Sequence, residues 1–293
     1  MSFEIVTDTS SNLQNKVVEE YSIKRIPFSY YVDGKEYTCM DTDAFNAEEY
    51  YAKIKSGVTV TTSQVTPQRF VENFEPILKE GKDVLFVSMS SGISGSCSSA
   101  GIAANQLLED YPDRKIEIVD TLGASLGEGL IALEGAKLRS QGVSFDETAQ
   151  QLRDMVRRMC QIFTVDDLMH LRRGGRLSNL SAIVGTVLQI KPLLKGNSEG
   201  KIVAFHKLRG RKRAIEALAE RFDKYAVEPE KQIVGIAHSA CKKDADYLAE
   251  LLNRNNPPKE IMMVDYEPVT GSHVGPGALA LFFLGDENVR EHD

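Results

Sequence analysis

A loop of serine and glycine holds the residues whose types and spacing are best suited to chemistry. Residues 84–87 (VLFV) are apolar and partly β-branched, which predicts a buried strand. Residues 90–96 (SSGISGS) follow, and helical spacing begins at Ser98 and continues to about Asp110. A helix N-terminus leaves backbone N–H groups unpaired and carries a partial positive charge. The stretch therefore predicts either an anion site or no more than a capped helix, and its chemistry alone favours neither.

The same construction recurs along the first half of the chain. Residues 3–7 (FEIVT) predict a strand that ends in Asp-Thr-Ser-Ser at residues 8–11. The hydroxyl-rich residues 59–67 (TVTTSQVTP) precede a helix whose first turn holds Pro67, a favoured position for proline. A further strand over residues 115–119 leads to another polar loop. This recurrence favours the anion-site interpretation.

The order of the elements predicts the fold class. Strands alternate with helices over residues 1–160, which predicts a mainly parallel sheet with helices on both faces. In such sheets ligands bind beyond the carboxyl ends of the strands, where these loops lie. The character of the sequence changes near Gln161, after which strands are predicted over residues 191–194 and 202–205 and a helix over residues 177–188.

We therefore expect an α/β protein of two closely packed domains. The N-terminal domain, residues 1–160, should be a three-layer α/β/α structure that carries the anion-binding loops. The C-terminal domain, residues 161–293, should be an α/β structure with a mixed sheet and the basic loop described below.

Composition excludes several classes of protein. The net charge is −7, so long-range attraction to nucleic acid is not expected. No apolar run is long enough to span a membrane, and residue 3 begins a strand rather than a leader, so we expect a cytoplasmic protein. The five histidines lack metal-ligand spacing, so no metal is assigned. The four cysteines make no Cys-x-x-Cys pair, which is typical of reduced thiols: Cys39, Cys97, Cys160 and Cys241.

Residues 123–127 (GASLG) match the nucleophile elbow of serine hydrolases, between a strand and a helix as that motif requires. Ser125 would be the nucleophile, and Asp265 and His273 would complete the chain order of the triad. Against this, the preceding strand is predicted to end at Asp120, several residues early, and no HGGG-type oxyanion loop is visible. A serine hydrolase is kept as the alternative function.

Two further groups are ambiguous when taken singly. Arg172, Arg173 and Arg176 surround two glycines, and a solvated charged loop is the ordinary interpretation of such a cluster. His273 stands between glycine-bearing turns, where a surface histidine is the ordinary interpretation.

Six segments taken together resemble the DegV family, in order and at family-like spacing over essentially the whole chain. They are residues 7–11 (TDTSS), 62–67 (TSQVTP), 90–96 (SSGISGS), 171–178 (LRRGGRLS), 191–192 (KP) and 273–277 (HVGPG). The departures are modest: Val65 stands where Pro is common, and Ser96-Cys97 where Thr-Tyr is common.

The resemblance implies a DegV-like fold and a fatty-acid-binding protein, similar to the binding subunits of bacterial fatty acid kinases. Those subunits hold a long-chain fatty acid such as palmitate, with its carboxylate among hydroxyls at the domain junction. The tail lies in an apolar tunnel, expected here in the C-terminal domain. A separate kinase subunit phosphorylates the carboxylate to an acyl-phosphate for phospholipid metabolism. The protein itself would be a carrier without catalytic residues or a cofactor.

The resemblance also assigns residues to these roles. Thr62 and Ser94 would donate hydrogen bonds to the carboxylate, with Ser63, Gly95 and His273 nearby. The arginines named above, Arg172, Arg173 and Arg176, would face the kinase. Hydroxyls and amides suit this task because they replace the hydration of a buried carboxylate without a metal. We expect no nucleic-acid partner, allow for transient contact with a membrane, and favour a monomer although the sequence does not determine the oligomeric state.

Overall fold

The computed structural model describes residues 2–178 and 190–292. The chain divides into two compact units: the first comprises Met1–Phe45 and Thr62–Val156, and the second comprises Asn46–Thr61 and Arg157–Asp293. These units differ from the domains expected at 1–160 and 161–293, because residues 46–61 group with the second unit. Two tyrosines explain the difference. Tyr50 donates to the carbonyl of Pro268 at 2.7 Å, and Tyr51 donates to that of Tyr266 at 2.6 Å.

Thirteen strands and ten helices are labelled here in chain order within the described residues. The strands are β1 (Phe3–Asp8), β2 (Lys24–Ile26), β3 (Ser29–Val32), β4 (Lys35–Thr38), β5 (Val60–Ser63), β6 (Asp83–Ser88), β7 (Ile116–Asp120), β8 (Met159–Thr164), β9 (Ile190–Gly196), β10 (Ile202–Arg209), β11 (Ile233–His238), β12 (Glu260–Asp265) and β13 (Leu279–Leu284). The helices are α1 (Asn15–Glu20), α2 (Ala47–Lys55), α3 (Pro67–Lys79), α4 (Ser96–Asp110), α5 (Leu126–Ser140), α6 (Phe145–Arg158), α7 (Met169–Arg173), α8 (Arg211–Tyr225), α9 (Lys242–Asn255) and α10 (Pro268–Val274).

A four-stranded parallel sheet of order β2-β1-β6-β7 forms the centre of the first unit. Strand β6 contains the predicted apolar run, and its four central side chains, residues 84–87, are fully buried. A strand covered on both faces needs a continuous apolar run rather than an alternating one, as found in parallel sheets. The predicted mainly parallel sheet is confirmed.

Helices cover both faces of this sheet. On one face α3 packs against α4 and β6, and the rings of Phe70 and Phe74 lie 5.0 and 5.6 Å from that of Phe86. Helix α5 packs closely on both α6 and β1: a Cβ placed at Gly135 would lie 2.9 Å from a methyl of Leu152 in α6 and 3.2 Å from one of Ile5 in β1. Small residues on α5 thus let helix, helix and strand approach one another.

The segment after β2 departs from the sequence prediction. Residues 26–32 were expected to form one strand, but β2 ends at Ile26 and β3 begins at Ser29. Pro27 has no N–H for a sheet, and Phe28 donates its N–H to Thr9 Oγ1 at 3.0 Å instead of to a strand. The predicted Asp33-Gly34 hairpin between β3 and β4 is present, with φ of 50° and 77° at its two turn residues.

A six-stranded mixed sheet of order β10-β9-β8-β13-β11-β12 forms the centre of the second unit. Neighbouring strands are antiparallel except β11 and β12, which are parallel. Helices α8 and α9 pack on this sheet and on each other, and the Phe222 and Phe283 rings meet edge to face at 5.2 Å. The fold class predicted from the sequence, α/β with a parallel sheet and a mixed sheet, is confirmed.

The helix predicted over residues 177–188 lies mainly outside the described residues. Of the helix predicted over residues 177–188, residues 179–188 lie outside the described residues, and Leu177 forms an isolated parallel bridge with Ile202. None of the helices in residues 2–178 and 190–292 has the length and apolar character needed to cross a bilayer.

Candidate functional site

Three polar loops meet at the carboxyl edge of the parallel sheet in the first unit. They follow β1, β6 and β7, which are neighbours in the sheet, and backbone hydrogen bonds join them. Ser90 N–H donates to the Gly123 carbonyl at 2.8 Å, and Ser125 N–H donates to the Ser10 carbonyl at 2.8 Å. The position expected for ligand-binding loops in a parallel sheet is therefore occupied by an ordered polar surface.

The serine loop, residues 90–96, is a compact turn that leads into α4. The Ser90 carbonyl accepts from the N–H groups of Ile93 and Ser94 at 3.2 and 3.1 Å. Ser94 Oγ accepts from Ser96 N–H at 3.2 Å and lies 3.0 Å from Ser96 Oγ. Ser94 thus pairs the first N–H of α4 from the position before the N-cap residue, Gly95, which is the kind of capping that the simpler interpretation of the sequence required.

Capping leaves Ser94 with a hydrogen to donate. Ser96 Oγ accepts from Val65 N–H at 3.0 Å, and its own hydrogen can then point to Ser94 Oγ. A hydroxyl carries one hydrogen and accepts two bonds, so the Ser94 hydrogen remains for another acceptor. The cap and the anion site are compatible.

The segment that holds Thr62 and Ser63 packs directly on the serine loop. A Cβ placed at Gly95 would lie 2.0 Å from Gln64 Oε1, so only glycine allows this approach. Gln64 also donates from Nε2 to Ser99 Oγ at 3.1 Å. The structure therefore brings together two segments that are far apart in sequence, and Thr62, Ser63, Ser94 and Gly95 are all half-buried.

The acidic side chain of Asp120 lies beside the serine loop. Asp120 accepts from the backbone N–H groups of Ser91 and Leu122 at 3.2 and 3.0 Å. Burial, with a contribution from Asp120, raises the pKa of the Cys97 thiol, which keeps that side chain uncharged. Among the described residues, no group of three or more His, Cys, Asp or Glu side chains could hold a metal ion.

Beneath the loops lie two fully buried carboxyl groups, Asp8 at the end of β1 and Glu128 in the first turn of α5. Glu128 Oε1 accepts from Thr7 Oγ1 at 2.8 Å, and Glu128 Oε2 lies 2.8 Å from Ser10 Oγ. The same Ser10 hydroxyl contacts Asp8 Oδ1. Burial is the main reason that the pKa of each carboxyl is raised, and the Asp8 charge raises that of Glu128 further.

Ser125 has the strained backbone of a nucleophile elbow, but the first unit does not supply the partners that would activate it as a nucleophile. Its φ of 55° and ψ of −141° are strained for serine. Its side chain is buried, and Oγ donates to Asn12 Oδ1 at 3.1 Å. The described residues of the first unit include no histidine that could act as a base. Asp265, the expected acid of the triad, lies 3.0 Å from His238 Nδ1 in the second unit.

In the second unit, the basic loop and the glycine-rich segment around His273 pack together. A Cβ at Gly174 would lie 2.3 Å from His273 Nδ1, and one at Gly275 would lie 2.3 Å from His170 Cδ2. The basic loop and the segment around His273 are about a hundred residues apart in sequence. They are in contact because Gly174 and Gly275 leave room for the imidazole rings of His273 and His170. Burial, followed by the charge of Arg176, lowers the pKa of His273 to about 4.

The three arginines of this loop differ in environment. Arg176 is half-buried and donates to the Gly174 carbonyl. Arg172 and Arg173 are exposed, and neither forms an ion pair with another described residue. An exposed guanidinium without an acidic neighbour is suited to an acidic partner.

A sequence model of the DegV family, whose members are described as uncharacterised proteins, matches residues 2–286. The chain belongs to the DegV family. A DegV domain-containing protein of Clostridium perfringens is 39% identical over 284 residues, which cover 97% of this chain and 98% of the relative.

Solved DegV structures are similar over nearly the whole length. A DegV family protein of Thermus thermophilus, described by its fatty acid binding, has a TM-score of 0.88 and 28% identity over 97% of this chain and 100% of that one. A fatty-acid-binding DegV protein of Bacillus subtilis has a TM-score of 0.85 and 29% identity over 98% of this chain and 100% of that one. The predicted family and DegV-like fold are confirmed.

Sequence reasoning missed the contact between Asp8 and Glu128. The sequence placed Asp8 in the polar loop after the first strand and in the DegV motif TDTSS, but it did not single out Glu128. A signal was present, since Glu128 lies among small and apolar residues in a helix with eleven buried positions. A lone carboxyl in such a helix is rarely buried without a partner.

The imidazole of His273 should stay neutral between pH 5 and pH 8, because burial opposes its charged form. Since its folded-state pKa is lowered, this group contributes stability above about pH 6.5, and that contribution is lost as pH falls towards 4. NMR titration of the imidazole ring measures the pKa directly. Arg176→Ala should raise the pKa but leave it below the ordinary value, whereas Arg172→Ala should not change it. Titration of wild-type His273 near pH 6.5 would show that the ring is solvated.

Proposed function

We propose that this protein binds a long-chain fatty acid and holds its carboxylate at the serine loop of the first unit. The observation that carries the proposal is the contact between the serine loop and the segment of Thr62 and Ser63, at the N-terminus of α4. Hydroxyls of both segments and the amides of the first helical turn offer donors to one anion. Solved DegV proteins described as fatty-acid-binding, at 28–29% identity, support the choice of ligand.

The donors follow from the hydrogen bonds already described. Ser94 supplies the hydroxyl hydrogen that its capping role leaves over, and Thr62 supplies a second hydroxyl. Ser63 and Gly95 line the same contact, and the absence of a side chain at Gly95 lets the two segments meet. That His273 contributes to this site stays a prediction. A neutral imidazole, as its lowered pKa indicates, would act as a hydrogen-bonding group and not as a cation.

In this proposal the tail supplies affinity and the hydroxyls supply orientation. Burying about 14 methylenes in an apolar tunnel contributes on the order of 11 kcal/mol before the costs of association and ordering. The head group contributes less, because its hydrogen bonds to protein replace hydrogen bonds to water. These separate roles suit a carrier, since the carboxylate has to be presented in a fixed position while the tail stays out of water.

We further propose that the protein presents the fatty acid to a separate kinase, which forms the acyl-phosphate, and that Arg172, Arg173 and Arg176 face this partner. The first two are exposed and form no ion pair with another described residue, which supports this assignment. On a chain with a net charge of −7, a local basic group of this kind is suited to an acidic patch on a partner. The protein would act in phospholipid metabolism, in the cytoplasm and as a monomer.

The head and the tail of the ligand should contribute independently. Ser94→Ala and Thr62→Ala should each weaken palmitate binding by about 1.5–3 kcal/mol, or roughly 10- to 150-fold, because each removes a donor to a desolvated anion. A ligand two methylenes shorter should lose about 1.6 kcal/mol, or roughly 15-fold. Calorimetry with 16-carbon and 14-carbon fatty acids on wild type and Ser94→Ala should give additive losses, since the contacts are distant.

Ser98→Ala provides the control for this cycle, because Ser98 is an exposed serine in the same first turn of α4. It should bind both ligands as wild type does. If Ser94→Ala also binds both ligands as tightly as wild type, Ser94 is only a helix cap and the carboxylate lies elsewhere.

Arg173→Ala should separate presentation from binding. Loss of an interface guanidinium should lower acyl-phosphate formation by a fatty acid kinase about tenfold, while the affinity for palmitate stays within about twofold of wild type. Arg254→Ala removes an exposed arginine from α9 and should change neither quantity. Loss of palmitate binding in Arg173→Ala would instead assign this residue to the ligand site.

A further inference from the structure

The carboxyl pair Asp8 and Glu128 is buried without a cation. Both side chains are fully buried, and no ion pair joins either of them to another described residue. Two ionised carboxylates in contact repel each other, and burial makes each charge costly. A buried pair of this kind is stable when one of its members carries a proton, as in other carboxyl dyads.

The hydrogen count at Ser10 leads to the same conclusion by geometry alone. Ser10 Oγ contacts Asp8 Oδ1 and also lies 2.8 Å from Glu128 Oε2. A serine hydroxyl carries one hydrogen, so it cannot donate to both oxygens. A proton on Glu128 Oε2 resolves the conflict: Glu128 donates to Ser10 Oγ, and Ser10 Oγ donates to Asp8 Oδ1.

This arrangement leaves Asp8 as the ionised member of the pair. Its Oδ1 also accepts from the Ser10 N–H at 2.9 Å, and the nearby backbone N–H of Met89 lowers its pKa, whereas its Oδ2 has no hydrogen-bond partner among the described residues. The two Ser10 donors on Oδ1 and the nearby Met89 amide favour its charged form. Glu128 receives only the Thr7 hydroxyl at 2.8 Å besides Ser10, which suits the protonated member.

Charged groups on the neighbouring elements are directed elsewhere. On β2, Lys24 is exposed and Arg25 donates to the Leu13 carbonyl and to Asn15 Oδ1. After β7, Asp120 accepts from backbone amides of the serine loop and of its own turn. From β6 the pair meets the backbone of Met89, which does not titrate. The proton between the carboxyls therefore depends mainly on the two carboxyls themselves.

The pair is connected to the serine loop through the backbone. Met89, whose N–H lies near the Asp8 carboxylate, directly precedes Ser90. The Ser90 carbonyl in turn accepts from the N–H of Ser94, the residue proposed to bind the ligand carboxylate. On the other side, the Ser10 carbonyl accepts from Ser125 N–H at the start of α5. A change in the pair would move the corner from which the loop begins.

We propose that Asp8 and Glu128 share one proton at neutral pH and that this shared proton positions the serine loop. The two carboxyls are positioning residues, because they act on the loop through Ser10 and Met89. With both carboxyls ionised, the single Ser10 hydrogen cannot bridge them, and their repulsion displaces the turn after β1 and the corner at Met89. The consequence for ligand binding rests on the function proposed above, whereas the shared proton and its effect on the loop do not.

Infrared spectroscopy and amide hydrogen exchange test the two parts of the proposal on the ligand-free protein. At pH 7 the wild type should show the carbonyl band of a protonated carboxyl. Glu128→Gln should lack this band but keep the slow exchange of residues 88–97 within about twofold, because its amide can still donate to Ser10 and accept from Thr7. Glu128→Ala should lack the band and exchange these amides about tenfold faster.

Glu134→Gln, on the same helix, is the matched control and should retain both the band and the slow exchange. If wild type lacks the band, or if Glu128→Gln keeps it, the shared proton is refuted. If Glu128→Ala protects residues 88–97 as wild type does, the pair does not position the loop.

A pH series on the wild type keeps the test decisive if Glu128→Ala does not fold. After correction for intrinsic exchange rates, exchange of residues 88–97 should accelerate at the pH at which the carboxyl band disappears, and Glu128→Gln should show no such step. Loss of the band without faster exchange would overturn the positioning role. If the carboxyl band persists to pH 9.5, amide exchange of residues 88–97 should stay slow up to that pH. Faster exchange while the band is still present would also contradict the positioning role. In that case Glu128→Asp, whose shorter side chain cannot reach Ser10, replaces Glu128→Ala and should speed exchange.

Palmitate binding at pH 7 then connects the pair to the proposed ligand site. Glu128→Gln should bind palmitate as wild type does, and the variant with fast loop exchange should bind it more weakly by about the same factor as its exchange is accelerated. Wild type that binds no palmitate, but shows the band and the exchange pattern above, would refute the proposed function and leave the shared proton standing.

Discussion

A carboxylate can leave water only where other donors replace its hydration, and the first unit is built around this constraint. Parallel strands end at one edge of a sheet, and here three of them deliver hydroxyls and backbone amides to that edge. The protein buries two carboxyls of its own with the same means, since Asp8 and Glu128 are bonded by Thr7, Ser10 and backbone N–H groups. The proposed ligand adds a third carboxylate near the surface of this polar region.

The constraint also explains why small residues matter at particular positions. Gly95 lets Gln64 approach the serine loop, and Gly174 lets His273 approach the basic loop. In each case a methyl group would occupy the place of a side-chain atom from a distant motif. Glycine here acts by leaving space for a contact, and its backbone freedom is secondary, because neither residue has a positive φ.

Much of the fold could be predicted because burial leaves a periodic trace in the sequence. The apolar run at residues 84–87 and the Asp33-Gly34 turn both gave the correct local structure. Contacts between distant segments leave no such trace. The hydrogen bonds of Tyr50 and Tyr51 that place residues 46–61 with the second unit, and the pairing of Glu128 with Asp8, depend on tertiary packing. The residue types of the serine loop and their recurrence predict an anion site, whereas the fatty acid and the roles of Thr62 and His273 follow only from the resemblance to the DegV family.

The central claim, that the protein carries a long-chain fatty acid, is tested most directly by mass spectrometry of the purified protein before and after denaturation. The account predicts a native mass above the 32.5 kDa of the polypeptide by the mass of one fatty acid. Denaturation should remove this excess, because the ligand is held without a covalent bond. A native mass equal to that of the bare polypeptide, even after incubation with palmitate, would contradict the claim.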